Sequence, residues 1–285
     1  MTTGLRDGIL LVDKPAGMTS HDAVAVVRRH RGSIRAGHTG TLDPFATGLL
    51  LVALGAATRL VRFIPAEPKV YDATIAFGAS TDTDDATGSV VERGPLPDEG
   101  VVRDAIRALT GRFEQVPPAF SARHVNGRRA YAIARGGGQP DLAPSTVVVD
   151  EWEVRGYHDG ILAATITCGS GTYVRSLARD LGRACGTVAH LVTLRRTNIG
   201  PFDVRDGVLP DESATAPLKA PGDALVGMPR RELVAAEVVG VRHGRAVPAR
   251  AESATVALVD HTGALVAIAE REGDWLQPRV VLPGE

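Results

Sequence analysis

The sequence predicts an α+β fold: a sheet domain with helices, followed by a smaller β-rich unit. Three observations carry this expectation. Apolar runs of strand length are interleaved with helical stripes at i, i+3, i+4 spacing. The stretch from Leu209 to Pro229 contains Pro210, Pro217, Pro221 and Pro229 and little periodic apolar pattern, so it reads as a linker. Short runs of strand length around tight turns follow it.

The elements follow in order. Ile9 to Val12 reads as a short buried strand. Thr19 with Asp22 three residues on reads as a capping box. Ala23, Val26, Val27 and His30 then give one face of a helix that Gly32 stops. Leu49 to Leu54 is a buried strand bounded by glycines, and Val70 to Phe77 alternates as a strand does. Val102, Ile106 and Leu109 mark a second helix. Val116 to Gln139, with Pro117-Pro118 and Gly136-Gly137-Gly138, reads as an excursion around a short basic helix. Val147 to Val154 and Ile161 to Cys168 read as paired strands. Val174, Leu177, Ala178, Leu181 and Cys185 form the buried stripe of a helix. Past the linker, Leu233 to His243 reads as a helix ended by Gly244. Thr255 to Val259, Ala264 to Ala269 and Arg279 to Leu282 read as strands, the first two joined by a turn at 260–263.

With 285 residues and a 44% apolar fraction, the chain can build one large domain and one small one. Cys168 and Cys185 are the only cysteines, which excludes a disulfide framework and a four-cysteine zinc site; both sit in apolar contexts that point to packing. No signal design is evident at the N-terminus and no apolar run approaches membrane-spanning length, so a cytoplasmic protein away from membranes is expected. The net charge of −1 conceals segregation. Arg123, Arg128, Arg129 and Arg135 fall between 121 and 138 without an acid, and five arginines from Arg175 to Arg196 face Asp180 alone. Acids gather instead in 82–99 and 150–159. Local basic patches on a neutral body fit a protein that holds one structured RNA, although ordinary patchiness gives the same pattern.

The run His38-Thr39-Gly40-Thr41-Leu42-Asp43-Pro44-Phe45-Ala46-Thr47-Gly48-Leu49-Leu50 is the most informative stretch. Gly40, Pro44 and Gly48 punctuate it as an irregular loop, and Asp43 is its only acid, at the mouth of a buried strand. Two readings stand: a placed reactive carboxylate, or an Asx-turn before a proline. Gly37 to Leu50 resembles the signature of the TruB family of tRNA pseudouridine-55 synthases. Other stretches resemble that family in the same order: ILLVDKPAGMTS at 9–20, Lys69-Val70-Tyr71, the acidic turn Thr81 to Gly88, Gly171-Thr172-Tyr173-Val174-Arg175-Ser176-Leu177, and Leu194-Arg195-Arg196. Together they span about residues 5 to 200, and the remainder is more weakly similar to a PUA-type RNA-binding barrel.

The resemblance implies the pseudouridine synthase fold, a mixed, mostly antiparallel central sheet with flanking helices, and a PUA-like C-terminal domain. The expected boundaries are 1–224 for the catalytic domain, with a basic RNA-binding insertion at 117–145, and 229–285 for the second domain. It further implies that Asp43 is the nucleophile of a reaction that breaks the N1–C1′ bond of a uridine, turns the uracil and rejoins C5 to C1′. An ionised carboxylate can serve there as nucleophile or as electrostatic anchor. Arg175 would pair with Asp43 and hold it ionised. Tyr71 would stack on the flipped base and help the proton leave C5, with Tyr173 and Leu194 lining the pocket. His38 would enter the RNA loop, Lys14 would support the active-site loop, and Asp85 would orient Arg175 or the substrate loop.

Each residue also has a plainer reading: a core aromatic for Tyr71 and Tyr173, a structural histidine for His38, a surface lysine for Lys14 and an Asx-rich turn for Asp82, Asp84 and Asp85. That turn fails a calcium-loop pattern, with Ala86 in fifth place and Arg93 in twelfth. Arg179 and Arg183 continue the spacing of Arg175 and read as a solvated face or as phosphate contacts. No phosphate loop, zincin motif or dinucleotide fingerprint is present, so no metal or cofactor is expected. The expected partner is the T-arm stem-loop of tRNA, bound by a monomer with no obligate protein partner. Two alternatives stay open: an RNA chaperone whose catalysis is secondary, and a synthase acting on ribosomal RNA.

Overall fold

The computed structural model describes residues 7–121, 123–125, 127–249 and 252–284. Of the four arginines between 121 and 138, the side chain of Arg129 lies outside the described residues. Along the chain the elements are β1 (Gly8–Lys14), α1 (Ser20–His30), β2 (Ala36–His38), β3 (Thr47–Leu54), a 3-10 segment (Gly55–Phe63), β4 (Lys69–Phe77), β5 (Ala79–Thr81), β6 (Val90–Arg93), α2 (Glu99–Ala108), β7 (Gly111–Gln115), β8 (His124–Val125), β9 (Arg128–Arg129), α3 (Ala130–Arg135), β10 (Ser145–His158), β11 (Ile161–Cys168), α4 (Val174–Ala184) and β12 (Ala189–Ile199). They continue with β13 (Phe202–Asp203), β14 (Arg230–Glu232), α5 (Ala235–Arg242), β15 (Val247–Pro248), β16 (Thr255–Val259), β17 (Leu265–Glu272) and β18 (Trp275–Val281). No described helix is long and apolar enough to cross a membrane.

The chain divides into two compact units. One comprises Met1–Pro44, Leu49–Ala66 and Pro201–Glu285; the other comprises Phe45–Gly48 and Glu67–Gly200.

In the first unit, Leu10 and Val12 of β1, Ala23, Val24 and Val27 of α1, and Leu50, Val52 and Leu54 of β3 share one apolar core. The α1 capping box forms as its sequence requires: Asp22 N donates to Thr19 Oγ1 and Thr19 N donates to Asp22 Oδ2, both at 3.0 Å. Val24 joins the buried face of α1, whereas His30 is exposed and meets Ser213 Oγ through Nδ1 at 3.1 Å. The proline-rich stretch is not a free linker. Lys219 exchanges two backbone hydrogen bonds with Ile9 of β1, Ala216 joins the core, and Ala224 and Leu225 are buried. Backbone pairing needs no side-chain periodicity, so the apolar pattern does not reveal it.

The same unit carries a five-stranded sheet in the order β14-β16-β17-β18-β15. Leu233, Val241, Val247, Val256, Leu258, Val266 and Leu276 form its own core. The third strand of this region begins at Trp275 rather than at the expected Arg279, because β17 and β18 form a hairpin about Gly273 and Asp274.

In the second unit β12, β4, β11, β10 and β7 pair in that order, each antiparallel to its neighbour. Alternation in β4 buries Tyr71, Ala73, Ile75 and Phe77 on one face. Thr47 and Gly48, the first residues of β3, run parallel to Arg195 and Arg196 of β12, which makes the sheet mixed. Gly48 has φ +106, and a methyl built on it would sit 2.7 Å from Arg196 N and closer still to Arg196 O. Only glycine allows that approach.

Candidate active site

In the first unit, the loop carrying Asp43 is held on both sides of the carboxylate. Leu42 is buried, and both its backbone groups meet one side chain: Leu42 N donates to Ser20 Oγ at 2.8 Å, and the Ser20 hydroxyl donates to Leu42 O at 3.1 Å. Ser20 is the first residue of α1, so the helix start fixes the loop. Pro44 O accepts from Gly17 N at 2.8 Å and from Lys14 Nζ at 3.5 Å. Lys14 is fully buried and also donates to Pro15 O and Met18 O, each at 2.8 Å. Three carbonyl acceptors solvate its ammonium, which a surface lysine would leave to water. Asp43 itself is partly exposed. His38 ends β2 opposite Val52 and is partly exposed.

In the second unit, Tyr71 is buried on β4 opposite Arg196, and Leu194 of β12 is buried opposite Ala73. Directly paired residues share a sheet face, so Tyr71, Ala73, Leu194 and Arg196 line one surface. Lys69, two residues before Tyr71, donates to Ser170 Oγ at 2.8 Å. Burial pushes its amine below the usual lysine range, and the Arg196 guanidinium pushes the same way. Tyr173 precedes α4 and is partly exposed; its N–H donates to Gln115 Oε1 at 2.9 Å, and its carbonyl accepts from Gln115 Nε2 at 3.3 Å.

Arg175 is buried in the first turn of α4 rather than set on a solvated face. Its Nη1 donates to Thr83 O at 3.0 Å, its Nη2 to Phe120 O at 2.9 Å, and its Nε lies 3.7 Å from Asp85 Oδ2. Asp85 is buried too, and its Oδ1 accepts from Thr83 Oγ1, Thr87 N and Thr87 Oγ1 at 2.8, 2.9 and 2.5 Å. One carboxylate oxygen therefore organises the turn and the other faces the arginine. Arg179 also departs from the solvated or phosphate-binding reading. Its guanidinium is largely buried between Asp84 and Asp180. Arg183 remains mostly exposed, 3.6 Å from Asp180 Oδ1.

Pattern reasoning does not single out Ser20, Gln115 or the Asp84–Arg179 pair. Gln115 ends β7 and is buried, which no pattern in the sequence announces. Among the described residues no cluster of three or more His, Cys, Asp or Glu side chains could hold a metal.

The fold is that of the pseudouridine synthases. It superposes on a solved structure described as a crystal structure of a Cbf5-Nop10-Gar1 complex with a TM-score of 0.73, at 26% identity, covering 97% of this chain and 85% of the other. A structure of an H/ACA RNP bound to a substrate RNA containing 2′-deoxyuridine shares the fold at a TM-score of 0.72 and 24% identity, over 97% and 85% of the two chains.

The chain belongs to the TruB family. Residues 28–174 match the model of the TruB family pseudouridylate synthase N-terminal domain, and residues 175–213 match that of the tRNA pseudouridylate synthase B C-terminal domain. The tRNA pseudouridine synthase B of Thermobifida fusca (strain YX) is 46% identical over 292 residues, covering 98% of this chain and all of that protein. The tRNA pseudouridine synthase B of Gloeobacter violaceus is 42% identical over 291 residues, covering 97% of this chain and 99% of that protein.

Proposed function

We propose that this protein isomerises the T-loop uridine of tRNA, at position 55, to pseudouridine. The observation that carries the reading is the Asp43 loop: a carboxylate whose two chain neighbours are both tied down, in a chain of the TruB family. Backbone restraint on both sides suits a group that must meet one carbon of a flipped nucleotide, since positioning supplies much of such a rate.

The steps balance within the nucleotide. An Asp43 oxygen bonds to C1′ as the N1–C1′ bond breaks, leaving the pair of electrons on the uracil. The uracil turns, C5 bonds to C1′, and Asp43 leaves as the carboxylate. The proton on C5 departs, with Tyr71 assisting, and N1 takes up a proton. No redox change occurs and no atom is lost, so no cofactor is called for. Arg175 is read as the cation that keeps Asp43 ionised, with Asp85 holding Arg175 in turn. Tyr71 and Leu194, on one sheet face, are read as walls of the base pocket together with Tyr173. His38 is read as the residue entering the RNA loop, and the basic stretch 117–145 as an RNA contact.

Residues 1–224 are read as the catalytic domain and 229–285 as a PUA-like RNA-binding domain; the separate sheet and core of the latter support the division. We read the partner as tRNA alone, bound by a monomer, and the compartment as the cytoplasm.

The test is mass-spectrometric or chemical mapping of pseudouridine in a T-arm stem-loop incubated with purified protein. The wild type converts the T-loop uridine. Asp43→Asn abolishes conversion and keeps RNA affinity within a few fold, because Asn preserves shape and removes charge. Turnover by the variant near the wild-type rate removes Asp43 from the mechanism, and an unmodified stem-loop after incubation with wild type overturns the function.

A further inference from the structure

One turn of α4 beyond Arg175 lies an arginine that the proposed chemistry does not use. Arg179 Nη1 is 3.1 Å from Asp84 Oδ2, its Nε is 2.9 Å from Asp180 Oδ1, and its Nη2 donates to Val116 O at 2.7 Å. Its side chain is 14% exposed, and all three guanidinium nitrogens are engaged inside the protein. An arginine kept for RNA phosphate presents that fork to solvent.

Its partner is unusual as well. Asp84 adopts φ +60, the left-handed region that non-glycine residues visit rarely, aspartate more readily than most, and that surrounding contacts hold in place. Those contacts are visible. Asp84 N donates to Thr81 O at 3.2 Å, Asp84 O accepts from Leu191 N at 3.1 Å, and the carboxylate is gripped by Arg179. Burial pushes the Asp84 carboxyl up, and the guanidiniums of Arg179 and Arg175 pull it back. The next residue is Asp85, whose carboxylate faces Arg175. Two arginines four positions apart, hence on one helix face, thus hold consecutive residues of one turn. They also hold Phe120 and Val116 by their carbonyls.

We propose that Arg179 and Asp84 form a positioning pair: their ion pair locks the left-handed backbone at Asp84 and thereby sets Asp85 against Arg175 in one geometry. This rests on the reading of Arg175 as an active-site residue. Rotation of the Asp84 backbone swings Asp85 away from the guanidinium, so loss of Arg179 acts on the chemical step and leaves RNA binding intact. Arg179 touches no substrate in this account.

The experiment uses the full-length protein and a T-arm stem-loop, with single-turnover rates at saturating RNA, dissociation constants at several salt concentrations, and hydrogen exchange of the amides of residues 81–88. Wild-type conversion that is lost in Asp43→Asn secures the underlying reading; the exchange measurement reads the pair without chemistry. Arg179→Met is expected to lower the saturated rate about tenfold, the effect of roughly 1.4 kcal/mol on the barrier. Its dissociation constant and salt slope stay within twofold of wild type, and exchange in the turn speeds about tenfold. Arg179→Lys restores most of the rate, and Asp84→Asn, which removes the same ion pair from its other side, reads the pair if the Met variant does not fold. Combining Arg179→Met with Asp84→Asn slows the reaction no more than the larger single effect, as for groups acting as one unit. The proposal is overturned by an unchanged saturated rate with unchanged turn exchange, by multiplicative losses in the double variant, or by a flattened salt slope with a normal rate. The last result makes Arg179 a phosphate contact.

Discussion

The hydroxyl of Ser20 satisfies both backbone groups of Leu42, twenty-two residues away, and Leu42 immediately precedes Asp43. A helix start and the proposed catalytic loop are thereby joined through a single oxygen atom. Ser20→Ala leaves a buried N–H and a buried carbonyl unpaired. Each unsatisfied group costs about 1–3 kcal/mol. The variant is expected to lose about 2–6 kcal/mol of stability by denaturant unfolding, and to convert uridine more slowly at saturating RNA while binding it normally. Wild-type stability and rate together would mean that the loop needs no such tie.

Gly48 lies against the Arg196 backbone with no room for a methyl group, and its φ is positive. Gly48→Ala must open the β3–β12 pairing or strain the turn. The expected loss exceeds about 3 kcal/mol, beyond the usual range for a surface change and in the class of overpacking combined with backbone strain. Thermal unfolding checks this, and a melting temperature within a degree of wild type contradicts the close approach.

Arg175 is buried and neutralises a buried Asp85 while donating to two carbonyls. Removing one partner of such a pair costs on the order of 3–5 kcal/mol. Arg175→Met is expected to lower the single-turnover rate about a hundredfold or more, since each ~1.4 kcal/mol is a factor of ten. Asp85→Asn keeps the turn shape and is expected to lose less. A rate in Arg175→Met within threefold of wild type would show that the arginine serves packing alone.

Burial pushes the Cys168 thiol up to about 12 from 9.0. The folded state then keeps a proton that the unfolded chain releases. Its contribution to stability is whole below pH 9 and falls as pH rises from 9 towards 12, by about 1.4 kcal/mol per unit. Cys168→Ala removes this slope, whatever the variant loses in packing. The difference in unfolding free energy between wild type and variant, followed from pH 8 to 11, is expected to narrow or reverse with rising pH; a constant difference contradicts the shift. The native thiol should also resist alkylating agents until the protein unfolds.

The sequence by itself determined whatever depends on near neighbours. Thr19 and Asp22 cap α1 because the motif closes over three residues, and β4 buries alternate side chains because a strand has period two. The motif around Asp43 and the family's other motifs likewise stand in the chain as written, and the family models confirm the membership they announce.

Tertiary structure alone decided the long-range polar partners. Arg175 and Arg179 share a helical spacing that reads as a solvated stripe. Both are drawn inward because the acidic turn and the carbonyls of residues 116 and 120 arrive beside α4 from far along the chain. Lys14 is buried because three carbonyls converge on it, and the 209–229 stretch docks because Lys219 finds the backbone of Ile9. Periodicity records which side of an element is apolar. It carries no information about which distant backbone will offer a hydrogen bond, since every residue but proline presents the same N–H and C=O.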